Sequence, residues 1–349
     1  MSPGARALGA GLGAALLLAS TLVSSSPGAA EEPVRILLVG DSVTQGSSGD
    51  WTWRYRLWRH LAGSGVRVDL VGPRDDLLDN VTWDFGSHAY LDPAFDRDHA
   101  ARWGMSFGVQ DQPIEELVDE YHPDVVVELL GVNDLAWTHT TAEGVLQDAR
   151  RFVEDAQAAD PDVDVVLGAL PQTWIPGVER YDANLPVLAA ELRTDTSDVV
   201  TAVPGAAFVE GVDTWDVAHP TASGEIKLAA GVADALAGLG VGAEYPRPLP
   251  DVPLGPRIPA TLSATPGDGE AELSWVSPPG ATAEYVWVRD TTTGGEWRRL
   301  PIPLTGSSWP ATDLVNGHAY EFRLQSEKGT VAAEDLYSNV VTVTPGPAA

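Results

Sequence analysis

The sequence predicts two architectures in one chain: an α/β domain with a doubly wound parallel sheet, then a small all-β sandwich. Two observations carry this. Up to residue 242, apolar runs of strand length alternate with amphipathic runs of helix length, the pattern of βαβ units. Beyond Arg257, short β-like runs (Ala271–Trp275, Tyr285–Arg289, Tyr320–Gln325, Val340–Val343) recur between Gly, Pro, Asn and Asp turns. That spacing is the signal of a sandwich. The boundaries we assign are 1–30 for a targeting segment, 31–242 for the α/β domain, 243–257 for a linker and 258–345 for the sandwich.

The first thirty residues carry one charge, Arg6, an apolar run from Leu8 to Val23 and small residues up to Ala30. This reads as a secretory signal peptide cleaved before Glu31, and the apolar part is short for a membrane span. Ile36–Val39 is then a buried strand, and Trp53–Leu61 a helix stopped by Gly63 and Gly65. Val66–Val71 is a second strand. From Gly72 to about Trp103 no period is visible, and loops of that length are usually functional or mobile. Acids crowd this stretch (Asp75, Asp76, Asp79, Asp84, Asp92, Asp96, Asp98), so calcium over residues 73–98 is an open question, although no EF-hand spacing is present.

Gln112–Tyr121 is a helix that His122-Pro123 ends. Asp124–Leu130 is a buried strand, with Glu128 either paired or shifted upward in pKa. Thr140-Thr141-Ala142-Glu143 opens a helix with a capping box. Strand Val163–Leu170, helix Asn184–Leu192, strand Val199–Val203 and helix Ala222–Leu239 complete the domain. Glu244 to Pro259 is proline-rich and reads as a semi-rigid connection.

Composition narrows the chemistry. Of 349 residues, 44% are hydrophobic and 20% charged, which suits a folded chain. A net charge of -29 argues against nucleic acid and anionic membrane surfaces as partners. There is no cysteine, which excludes disulfides, thiol catalysis and thiolate metal sites. The lysines are Lys227 and Lys328 alone.

Three strand ends carry candidate chemistry. Gly40-Asp41-Ser42-Val43-Thr44-Gln45-Gly46 follows the first strand, so Ser42 falls at the carboxyl edge where α/β sheets place ligands; Asp-Ser there is also a good helix cap. Gly131-Val132-Asn133-Asp134 follows the strand ending at Leu130, and a side-chain amide there could donate to an oxyanion or simply form a turn. Asp216-Val217-Ala218-His219-Pro220 precedes the final helix. A three-residue offset lets a carboxylate reach an imidazole, as acyl transfer by serine requires, although both groups could equally be surface caps.

Over roughly Val34 to Leu239, these residues resemble the SGNH, or GDSL-like, hydrolase superfamily. Gly40-Asp41-Ser42 is similar to its nucleophile block, Gly131-Val132-Asn133-Asp134 to its Asn block and Asp216-Val217-Ala218-His219 to its acid–base block. Gly104 matches the glycine block best, with Gly108 as fallback, and Val43 replaces the literal Leu. The resemblance implies a flavodoxin-like three-layer fold and catalysis by Ser42, His219 and Asp216. It implies an oxyanion hole of Ser42, Gly104 and Asn133, and no metal or cofactor. Thr44-Gln45-Gly46 and Val68-Asp69-Leu70-Val71-Gly72 look most like members that deacylate carbohydrates. The tail resembles a fibronectin type III module in Leu273-Ser274-Trp275 and in the tyrosine-corner run Leu314 to Tyr320.

The expected function is a secreted ester hydrolase acting on acylated carbohydrate or small esters, without stable membrane insertion. The fibronectin-like tail is a spacer, or could contact polysaccharide or a cell surface. Trp51, Trp53, Trp83, Trp103, Trp137, Trp174 and Trp215 fall in or beside the active-edge loops, where they could face sugar rings or serve as apolar cover. Alternatives are a lipase or broad short-chain carboxylesterase, and a non-catalytic polysaccharide-binding protein on a hydrolase scaffold.

Overall fold

The computed structural model describes residues 32–138 and 140–347, together with Met1. Apart from Met1, the expected signal peptide lies outside them. Five strands of the six-stranded parallel central sheet are β1 (Val34–Gly40), β2 (Val68–Val71) and, after the short strands given below, β6 (Val125–Leu129), β7 (Asp164–Gly168) and β8 (Val199–Ala202). Their order is β2-β1-β6-β7-β8, so the winding reverses between β1 and β6. A crevice opens at such a reversal, beyond the carboxyl ends of the strands.

Side-chain alternation sends the sheet's apolar residues into two cores. Ile36 and Leu38 pack with Trp53, Leu57 and Leu61 of α2 (Thr52–Gly63) and with Leu228 to Leu236 of α7 (Ala222–Gly238). Leu37 and Val39 face the other way, toward α3 (Ile114–Tyr121), α5 (Ala142–Ala159) and α6 (Val178–Leu192). Helices on both faces of a parallel sheet make three layers. Trp53 is wholly buried in the first core, which removes it from the active-edge aromatics.

Six elements differ from the sequence reading or were not foreseen by it. α6 starts at Val178, six residues ahead of the expected Asn184, and contains Pro186. A proline inside a helix loses one bond, but Tyr181, Leu185 and Leu188 are buried on the core face and outweigh it. The aperiodic stretch after Gly72 holds a hairpin of β3 (Leu77–Asp79) and β4 (Asp84–Ser87), and then β5 (Ala100–Ala101), which pairs with the end of β1. Very short helices, α1 (Ser42–Gln45) and α4 (Val132–Ala136), follow β1 and β6.

From residue 261 the chain forms two antiparallel sheets around a separate core of Leu262, Leu273, Trp275, Val286, Phe322 and Leu324. One contains β9 (Thr261–Pro266), β10 (Ala271–Val276) and β13 (Ser308–Ala311). The other contains β11 (Ala283–Asp290), β12 (Arg298–Arg299), β14 (Tyr320–Lys328), β15 (Val331–Ala332) and β16 (Val341–Val343). The Tyr320 hydroxyl accepts from the Val315 N–H at 3.0 Å, closing a corner back onto its own strand entry. The linker is docked along its length. His60 lies 2.6 Å from the Ala243 carbonyl, Arg247 pairs with Asp234, and Leu254 and Glu334 exchange bonds near 3.0 Å. From Pro33 onward the chain is one compact unit.

Gly40 lets α1 fold tightly over the end of β1. A methyl placed there would meet Thr44 Oγ1 at 2.2 Å and the Leu129 carbonyl at 3.2 Å. Gly40→Ala should therefore cost about 1–3 kcal/mol, in the range of overpacked sites, measured by urea unfolding. Wild-type stability would mean that the turn can open to admit a methyl group.

Candidate active site

Ser42 is the first residue of α1, at the carboxyl end of β1 beside the reversal of strand order. Asp41 caps the helix, its Oδ1 accepting from the Val43 N–H at 2.8 Å. So short a helix cannot sustain itself, and buried side chains hold it. The Arg54 guanidinium donates to the carbonyls of Thr44 at 2.8 Å and Gln45 at 3.1 Å, a cation on the negative end of the turn. Gln45, also buried, accepts from the Trp103 N–H at 2.7 Å and donates to Asp76 at 3.2 Å.

The second strand end brings Asn133 next to this turn. Its Nδ2 donates to the Met105 carbonyl at 2.8 Å and approaches Asp41 Oδ2 at 3.3 Å. Between the two lies the segment after β5: the Arg102 N–H donates to the Gly40 carbonyl at 3.2 Å, which brings Gly104 alongside the serine turn. The N–H groups of Phe107 and Gly108 are engaged by the Asp134 carboxylate. Among the described residues, those of Ser42 and Gly104 have no partner. Of the two glycine candidates, Gly108 thus has its N–H engaged by Asp134 and Gly104 does not.

The third stretch folds as the spacing suggested. Asp216 Oδ1 accepts from the N–H groups of Ala218 at 2.9 Å and His219 at 2.7 Å, and Oδ2 lies 2.7 Å from His219 Nδ1. An ionised carboxylate only accepts, so in the neutral imidazole the proton sits on Nδ1 and the lone pair on Nε2. Gln172 and Trp174 grip the same loop, donating to the carbonyls of Ala218 at 2.9 Å and Val217 at 3.0 Å.

Aromatic faces join this loop to the serine turn. Trp103, held by Gln45, stacks on His219 with ring centroids 4.0 Å apart, and Trp215 stacks on it at 5.2 Å. Trp83 meets Trp103 edge to face at 5.9 Å. Trp83 and Trp137 are 62% and 75% exposed, whereas Trp215 is covered. Sequence reasoning placed these tryptophans near the site. It assigned no role to Gln45 or Asp134, which lie inside the quoted motif blocks, or to Arg54, which lies in α2.

A profile of the GDSL-like Lipase/Acylhydrolase family matches residues 38–234, more than half of the chain. The chain belongs to that family. The acylhydrolase is similar to a solved carbohydrate esterase family 3 protein from Talaromyces cellulolyticus, with 26% identity and a TM-score of 0.51 over 59% of this chain and 97% of that one. An acetyl esterase mutant solved with acetate ion matches at 25% identity with the same score and coverage. In sequence, 71 residues are 30% identical to an amylopullulanase of Thermoanaerobacterium saccharolyticum. They span 20% of this chain and only 6% of that relative. With this family and these esterase neighbours, the protein is a carboxylic ester hydrolase.

Burial shapes the charges of the acylhydrolase. It pushes Asp41 up to about 7, against the Val43 N–H, with Asp134 adding repulsion. Glu128, fully buried in β6, is driven well above the carboxylate range by burial; the Leu130 N–H donates to it. Asp216 behaves oppositely: burial raises it, but the His219 hydrogen bond and charge and the loop N–H groups win, and its carboxyl ends below the usual value. The loop acids have protein partners too, Asp75 with His88 and Arg97, Asp76 with Arg74, Asp92 with Tyr55 and Asp96 with the Leu70 N–H. Among the described residues, no cluster of three or more His, Asp or Glu side chains could hold a metal ion.

These shifts set a pH dependence of stability. Asp41 at about 7, and Asp182 pushed by burial up to about 6, bind protons when folded that the unfolded chain has released above about pH 4. Folding stability therefore falls as pH rises through that window. Asp216 contributes the opposite way, but only where carboxylates protonate, at lower pH. The thermal midpoint should drop between pH 5 and pH 8, by less in Asp182→Asn. A midpoint that rises over that interval contradicts the assignment.

Proposed function

We propose that this acylhydrolase is a secreted serine esterase that removes acyl groups, chiefly acetyl, from carbohydrate. The triad is Ser42, His219 and Asp216, and the oxyanion hole comprises the N–H groups of Ser42 and Gly104 with the side chain of Asn133. The observation that carries this reading is the Asp216–His219 pair, bonded at 2.7 Å and stacked on Trp103, whose N–H is tied to Gln45 in the serine helix.

His219 Nε2 takes the Ser42 proton as Oγ attacks the ester carbonyl carbon. The carbonyl oxygen becomes an oxyanion, met by the two N–H groups and the Asn133 amide. Asp216 stays ionised and stabilises the imidazolium, beside the faces of Trp103 and Trp215. Collapse expels the sugar alkoxide, which leaves with the proton from Nε2. Water, deprotonated by the same nitrogen, then releases the acid from Ser42.

The carbohydrate and acetyl assignments draw support from the carbohydrate esterase and acetyl esterase to which the chain is similar. Trp83 and Trp137, exposed near the site, suit sugar rings. Secretion draws on the first thirty residues. No described helix is long and apolar enough to cross a membrane. For the tail we favour a fibronectin type III module, on the buried Trp275 and the Tyr320 corner.

A p-nitrophenyl ester series from acetate to palmitate tests this. Acetate should be hydrolysed fastest, Ser42→Ala should abolish turnover, and Asn133→Ala should lower kcat by about 10²–10³. Rates that peak on long chains would make the enzyme a lipase. Hydrolysis that survives Ser42→Ala would remove the triad.

A further inference from the structure

The linker and the β-sandwich are usually read as a spacer and a module hung behind an enzyme. Here the turn between β14 and β15 reaches both halves of the candidate site. Lys328, 4% exposed, is the last residue of β14. Its ammonium donates to Ser47 Oγ at 2.8 Å, the Ser48 carbonyl at 3.1 Å and Asp50 Oδ2 at 2.5 Å. These residues are the loop that leaves the serine helix. All three N–H donors of the ammonium are thus committed to it.

Two residues further on, the N–H and Oγ1 of Thr330 donate to the Trp215 carbonyl at 3.0 Å and 3.2 Å. Trp215 precedes Asp216 and stacks on His219, and the Lys328 ammonium lies 5.3 Å from its ring. Between them, Gly329 has φ +58 and approaches so closely that a methyl group would sit 2.1 Å from the Trp215 carbonyl oxygen. Alongside, Asn80 Nδ2 donates to the Gly280 carbonyl of the sandwich at 2.9 Å.

We propose that the sandwich is a working part of the active site, with Lys328 and Thr330 as positioning residues that clamp the serine loop and the acid–base loop in register. The inference rests on the triad reading above. The serine loop is bridged to Leu78 and the acid–base loop is held by Gln172 and Trp174, but each of those contacts serves one loop. The turn after β14 bonds both, and so sets the distance between nucleophile and base from the sandwich side. A buried ammonium is costly to desolvate. Its three bonds to one short loop offset that cost, and truncating it leaves Asp50 without its cation.

The test uses the whole chain, comparing Lys328→Met and Thr330→Val with Val286→Ala, a change in the sandwich core away from the contact. Lys328→Met should lower kcat on p-nitrophenyl acetate between about tenfold and 10²-fold, the scale of small misplacements. KM should hardly change, and the acid limb of the pH–rate profile should move. Thr330→Val should show the same pattern more weakly. Val286→Ala should lower the thermal midpoint yet keep kcat and the limb. Hydrogen exchange at Gly46–Asp50 and Trp215–His219 should quicken in the two contact variants only. That readout needs no turnover, so it decides the clamp even if the esterase reading failed on every substrate. Unchanged exchange and kcat in both contact variants, or equal losses in Val286→Ala, would overturn the proposal. If Lys328→Met does not fold, Thr330→Val decides.

Discussion

The buried amide of Gln45 is the joint on which the site depends. One of its ends accepts from the Trp103 backbone and the other donates to Asp76. It therefore fixes, with one side chain, where the loop after β5 stands relative to the serine helix. Trp103 carries that position to His219 by stacking, and the adjacent Gly104 inherits it. A residue of this kind works because a buried amide left unpaired would cost about 1–3 kcal/mol. Alternative placements of either loop are thereby penalised.

A second constraint is the crowding of carboxyl groups behind the site. Asp41, Glu128 and Asp134 are all buried, and burial raises the pKa of each. All three perform backbone work: Asp41 caps the serine helix, Glu128 accepts from the Leu130 N–H, and Asp134 holds the N–H groups of Phe107 and Gly108. Stability has been exchanged for geometry here, as expected where a fold must hold irregular backbone against a sheet edge.

The sandwich extends the same logic. The central sheet fixes strand ends, but the loops beyond them receive their outer support from Lys328 and Thr330. A chain without cysteine has no covalent means of joining distant loops. In this one, close backbone approach at Gly329 and a buried cation join them.

The sequence by itself determined the layers and the chemical candidates. Strand-length apolar runs alternating with helices point to a parallel sheet covered on both faces, so the layers were legible, whereas the strand order β2-β1-β6-β7-β8 came from the structure. Ser42, Asn133, Asp216 and His219 stood out because they follow strand ends, where side chains are free to serve a ligand. Tertiary structure decided the rest. Trp53 and Trp83 look alike in sequence, yet one fills the core and the other faces solvent, because helix phase and hairpin geometry separate them. Gly104 and Gly108 are told apart by Asp134, which engages the N–H of Gly108, and by the positive φ that Gly104 alone of the two adopts. Gln45 and Lys328 act on partners far along the chain, and no local pattern encodes a contact that exists only once the chain has folded.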